Sequence, residues 1–199
     1  MTSPSPSPSL PLPLDRAGTV PELRAELDSL RAEFTALADR AAVAELIDRY
    51  VTLLDTQDEH GFDPAWPAAV FTPDCRLEFP VGTVEGRDQA AAFHYDRKSR
   101  FARTHHLAAN YGIRVDGDTA RIRIHLIASH VHHDDGPDPD GRFDIGGHSE
   151  GEAVRTPDGW RLSRWRFHLT WSDGAGPRPG PDARALRSSQ PRPRQTKGR

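Results

Sequence analysis

THHLAANYGIRVDGDTARIRIHLIASHVHH, residues 104–133, is the stretch whose reading decides the fold. Ile122, Ile124, Leu126 and Ala128 recur every second residue, and alternate residues of a strand share one face. Asp116-Gly117-Asp118 interrupts this run with hairpin-turn chemistry. The same period returns at 143–155 and 160–171, separated by Thr156-Pro157-Asp158-Gly159. Four strands are therefore expected, at 106–115, 119–132, 143–155 and 160–171, with a long Asp/Gly/Pro loop over 134–141. Short turns after the first and third predict an antiparallel sheet.

Upstream the period becomes helical. Leu23, Leu27, Leu30, Phe34, Leu37 and Ala41 alternate spacings of four and three, an a/d seam of under three heptads. Two readings stand: a helix lying on its own domain, or one pairing across a dimer. A second stretch, 41–55, places Val43, Leu46, Ile47, Tyr50 and Leu54 on one face, and no Pro or Gly divides it from the first, so two helices or one long bent helix are both open. A loop with Gly61, Pro64 and Pro67 leads to a short helix at 65–71. Thr72-Pro73-Asp74 breaks the chain before a short strand at 75–79, and 82–86 reads as a turn. Residues 87–100 read as a helix burying Ala91, Ala92 and Tyr95. Helices first and strands afterwards is an α+β pattern.

Composition narrows the function. The chain has 199 residues, a formal charge of −3 and one cysteine, Cys75, so a disulfide scaffold is excluded. No apolar run reaches the roughly 20 residues of a membrane-spanning helix. Residues 1–19 are Pro/Ser-rich and 174–199 Pro/Arg-rich; both are expected to be disordered tails. They flank a heptad helix at 20–40 and a domain at 41–173. The second tail carries seven basic residues and one acid, which leaves the remainder strongly acidic. An acidic domain offers no footprint for nucleic acid. No signal peptide is visible, so a cytoplasmic protein is expected.

Three polar groups interrupt apolar patterns. Asp55 ends the helical stripe of RYVTLLD, His106 starts a strand in RTHHLAAN, and His130 and His132 continue the Ile122–Ala128 face. A buried carboxylate beside an imidazole holds the ring N–H, fixes the tautomer and makes a tuned base. Alternatively, Asp55 caps a loop and the histidines are satisfied core residues. HVHHDD invites a metal reading, but His132 and His133 point to opposite faces; no metal and no cofactor are expected. Phosphate-loop and nucleophile-elbow patterns are missing. Strict alternation also sets His106, Ala108 and Asn110 opposite Leu107, Tyr111, Ile113 and Val115. Either a bulge re-aims this strand or a second subunit covers its other face.

Taken in order, RYVTLLDTQD, VFTPDCRLEFPVGTVEGRDQAAAF, RTHHLAANYGIRVDGDTARIR and GGHSEGEAVRTPDGWRLSRWRF resemble the SnoaL-like branch of the nuclear transport factor 2-like superfamily. The resemblance covers residues 41–171 and implies a curved antiparallel sheet wrapped around helices to form a cone with a pocket. Similarity to scytalone dehydratase implies a catalytic Asp55–His106 pair; its two water-holding tyrosines are Leu54 and Phe79 here. Tyr50 matches the oxyanion-hole tyrosine of ketosteroid isomerase, whose base position holds Phe79. Asn110, His130 and Ser149 complete the expected substrate-binding set with Tyr50, Leu54 and Phe79. The resemblance implies a cofactor-independent cyclase, dehydratase or isomerase acting on a small polyketide- or terpenoid-like molecule. The alternative is a ligand-binding or assembly module of the same fold. A homodimer or homotrimer is the expected assembly.

Overall fold

Helix α1, Val20–Thr56, begins with one half of a capping box: the Thr19 amide donates to the Glu22 carboxylate at 2.7 Å. In this computed structural model residues 19–134 and 141–176 are described. Both expected tails, apart from their inner ends, and most of the 134–141 loop lie outside them. The helix runs unbroken through 41, so the two helical stretches form the single long helix left open by the sequence, and the chain divides into two compact units after Leu37. In the first unit Leu23, Leu27, Leu30, Phe34 and Leu37 are all exposed.

The second unit is built on a six-stranded sheet. Its strands are β1 (Phe71–Phe79), β2 (Gly82–Glu85), β3 (Arg103–Asp116), β4 (Thr119–Val131), β5 (Arg142–Thr156) and β6 (Gly159–Asp173). Their order is β2-β1-β6-β5-β4-β3, antiparallel except for the parallel β1–β6 pair. Gly117 and Gly159 take positive φ of 55° and 96° in the two hairpin turns, where a side chain is disfavoured. Val43, Leu46, Ile47 and Tyr50 of α1 pack with Ile113, Ile122, Ile124, Leu162 and Trp165 of the sheet. Full burial of such side chains stabilises by about 1.5–3 kcal/mol each.

A bulge decides the facing of β3. Its pairing with β4 shifts register between Ala109 and Gly112, and Asn110 adopts φ 57°. Thr104, His106 and Ala108 turn toward the interior before the bulge; Tyr111, Ile113 and Val115 do so after it. One extra residue thus lets a polar stretch and an oily stretch share the concave face. Leu107 alone of that oily set stays outside, 56% exposed.

Several local expectations are corrected. β1 starts at Phe71 and crosses Thr72-Pro73-Asp74 through a register shift, which accommodates a proline without an N–H. The expected turn at 82–86 is mostly strand β2, paired with β1. The expected helix at 65–71 is a 3-10 turn, Trp66–Ala69. Helix α2 spans Ala90–Lys98, and its later start buries Ala90, Ala91 and His94 while Tyr95 is exposed.

Close approach, rather than turn geometry, fixes Gly147. A Cβ there would lie 2.0 Å from the His168 carbonyl oxygen of β6, at a second register shift. Gly147→Ala is expected to cost about 1–3 kcal/mol, read as a lower urea midpoint at unchanged slope. An unchanged midpoint would show that β5 and β6 separate freely at this position.

Candidate active site

Asp55 sits in the last turn of α1, where the helix ends against β3. Its Oδ1 accepts hydrogen bonds from the Thr104 hydroxyl at 2.7 Å and His106 Nδ1 at 2.6 Å; its Oδ2 accepts from the His106 amide at 2.8 Å. Burial pushes this carboxyl up, but the bonds and charge of His106, with the Thr104 hydroxyl, hold it below its ordinary value. An ionised Asp55 keeps the proton of His106 on Nδ1, which leaves Nε2 as the basic ring nitrogen. The two side chains are 17% and 14% exposed, so the contact is shielded from bulk water.

His106 opens onto a cavity of about 210 Å³ whose walls are mainly apolar. Tyr50, Leu54, Phe79 and His130 of the expected set line it, as does Thr104. Phe79 stacks on Phe93 at 5.5 Å between ring centres. His130 approaches His106 edge-on at 6.0 Å, and its Nδ1 donates to the Phe143 carbonyl at 2.8 Å. Burial lowers the His130 imidazole to about 4, against the pull of that carbonyl. A neutral ring whose Nδ1–H is committed has only an acceptor left at Nε2. His130 is therefore placed to accept a hydrogen bond from a hydroxyl, not to donate one to an oxyanion.

Two expected residues lie elsewhere. Asn110, carried outward by the bulge, is exposed and bonds His125 Nδ1 at 2.9 Å. Ser149 is fully buried, its hydroxyl has no hydrogen-bond partner among the described residues, and it does not line the cavity. The HVHHDD histidines also fail to converge. His130, His132 and His133 each contact a different carbonyl, of Phe143, Ala175 and Ser99.

The structure adds His94, which the periodicity of 87–100 missed by one register. It is 7% exposed and lines the cavity, and its Nε2 lies 3.3 Å from the Tyr50 hydroxyl. Burial drives its imidazole down to about 3, with smaller contributions from His106 and Arg97, and burial pushes the Tyr50 phenol well up. This pair stays uncharged at neutral pH, so it offers dipoles rather than ions. The Ala90-Ala91-x-x-His94 spacing was the available signal, had the helix been started at Ala90. Arg97, Lys98 and Arg100 of the α2 end also border the cavity. Arg97 stacks on Phe93 at 4.2 Å, and Lys98 pairs with Asp58.

The curved sheet over a long helix has the nuclear transport factor 2-like class of fold: a protein of that superfamily from Salmonella enterica superposes with a TM-score of 0.58 at 20% identity, covering 70% of this chain and 96% of its own. Within that class the chain belongs to the SnoaL-like domain family, which residues 35–166 match. Terrestric acid biosynthesis cluster protein E of Penicillium crustosum is 28% identical over 143 residues, 70% of this chain and 88% of that protein. A candidate scytalone dehydratase from Novosphingobium aromaticivorans superposes with a TM-score of 0.63 at 22% identity, covering 73% of this chain and 93% of its own. Hexachlorocyclohexane dehydrochlorinase LinA-type3 from Novosphingobium barchaimii superposes at 0.60 with 16% identity, covering 71% and 92%.

Proposed function

We propose that the protein is a cofactor-independent acid–base enzyme acting on a small, largely apolar polyketide- or terpenoid-like metabolite. The observation that carries this reading is the Asp55–His106 contact at the wall of an oily cavity. His106 Nε2 takes a proton from carbon next to a carbonyl, or from a hydroxyl, and Asp55 stabilises the imidazolium that forms. The ring then returns the proton to a leaving hydroxyl or to a carbanion carbon. Tyr50 and His94 supply hydrogen bonds at a different part of the wall, and His130 accepts one from a substrate hydroxyl. Dehydration, cyclisation and isomerisation all use these steps; the relatives named for scytalone dehydration, dehydrochlorination and terrestric acid biosynthesis support this class. We place the enzyme in the cytoplasm.

Proton abstraction can be measured before the natural product is identified. Aromatic and alicyclic ketones are incubated with the protein in D2O, and α-deuteration is followed by NMR. Exchange that depends on His106 supports the proposal. Ligand binding without any exchange across such a panel favours the non-catalytic module instead.

We assign the α1 seam a role in self-association. Val20, Leu27 and Phe34 take the a positions and Leu23, Leu30 and Leu37 the d positions, which puts Glu26 at g and Arg24 and Arg31 at e. Parallel pairing of two copies sets each Glu26 against Arg31 of the other copy, whereas antiparallel pairing sets arginine against arginine. Glu26→Arg is expected to weaken the oligomer at least about tenfold, and adding Arg31→Glu to restore it. Sedimentation equilibrium reads both; an oligomer indifferent to the swap, and to Leu30→Asp, removes the seam from the assembly.

A further inference from the structure

The convex face of the sheet carries a cluster that the pocket chemistry does not use. His148 of β5 stands directly opposite His168 of β6, and Glu150 follows two residues along on the same face. Ser149 and Phe167, their sequence neighbours, are buried on the other side. The two imidazoles stack with centres 4.6 Å apart at 12°. One donor atom from each of the three residues lies within 4.8 Å of the others.

We propose that His148, Glu150 and His168 form a binding site for a divalent transition-metal ion, with Zn²⁺ the best match. Two imidazoles and one carboxylate are a recurrent zinc donor set with a fourth position open to water. The donor chemistry disfavours Mg²⁺ and Ca²⁺, which take oxygen ligands. Bonds of about 2.0–2.2 Å set tetrahedral donors roughly 3.4 Å from one another, so side-chain rotation has to draw in donors that lie up to 4.8 Å apart.

Two further observations support the assignment. His168 Nε2 is occluded yet has no hydrogen-bond partner among the described residues, and Glu150 Oε2 stops 3.6 Å from it, too far for a hydrogen bond. Glu150 has Arg123 and Arg166 as register partners, but the Arg166 guanidinium pairs with Glu78 instead. Bound there, the ion ties β5 to β6 on the face opposite the cavity. It is a structural clamp, separate from the acid–base site.

Untagged full-length protein is stripped with EDTA and titrated with Zn²⁺ by calorimetry and with Co²⁺ by visible absorption. One equivalent is expected to bind at micromolar or tighter affinity, to raise the melting temperature, and with Co²⁺ to give four-coordinate d–d bands. His148→Ala and His168→Ala are each expected to weaken binding at least about tenfold, Glu150→Gln by less, and His133→Ala not at all. Circular dichroism of each variant checks that it is folded. The assignment is overturned if the wild-type chain binds no Zn²⁺ below millimolar concentration, or if binding survives both histidine substitutions.

Discussion

Replacing His106 with asparagine is expected to slow proton transfer by about 10²–10⁴-fold while leaving ligand affinity within a few-fold of wild type. The substitution removes the basic Nε2 but keeps a polar side chain beside Asp55, so the cavity wall and the helix–strand junction persist. Asp55→Asn is expected to cost a comparable factor by another route. An amide cannot stabilise the imidazolium, and its NH2 competes for the role of donor, so the ring loses its fixed tautomer. It should also lower stability, because the His106 amide and Thr104 hydroxyl lose a charged acceptor. The double variant should be little slower than either single one, since the two groups act as a unit. α-Deuterium exchange with a saturating ketone reads all three rates. Wild-type exchange in His106→Asn would remove this imidazole from the mechanism.

Acidification from pH 7 to pH 5 is expected to remove about 4 kcal/mol of folding stability, about 2 kcal/mol for each of two buried histidines. His94 is lowered to about 3 and His130 to about 4, from 6.5 in the unfolded chain. Between those values the unfolded chain binds more protons than the folded one, so stability falls as pH falls through that window. The loss is large against the 5–15 kcal/mol typical of a domain. Asp55 acts lower on the scale: its depressed carboxyl stabilises the fold above the unfolded value of 3.8, and that contribution disappears as pH drops through the folded value. Urea unfolding at intervals from pH 7 to pH 5 measures the slope. His94→Leu should lose about half of it, whatever it does to stability at pH 7. Pure pH independence in the wild-type chain over this range would mean that both rings protonate without cost.

The Asp55–His106 contact was legible because each partner breaks a pattern: a carboxylate closes an apolar helical stripe, and an imidazole opens a strand. His94 was not legible in the same way. In the 90–95 segment, Ala90, Ala91, Ala92 and Tyr95 permit two helix registers that bury different faces. The 3-10 turn at Arg87–Gln89 selects the one that buries His94. Asn110 shows the complementary limit. Its placement outside the pocket follows from the bulge, and the bulge follows from the pairing of β3 with β4, not from any local preference of Ala-Ala-Asn-Tyr-Gly.

The residue order alone determined the class of architecture and the four long strands, because period-two alternation and turn chemistry are local properties of the chain. It also marked Asp55 and His106, since polar groups in apolar patterns stand out without coordinates. Which groups share the cavity was settled only by tertiary structure. A single extra residue in β3 inverts every side chain beyond it, and one residue of register in α2 exchanges a tyrosine for a histidine. The cross-strand meeting of His148 and His168 belongs to the same category, because residues 20 positions apart become neighbours only through the pairing of β5 with β6.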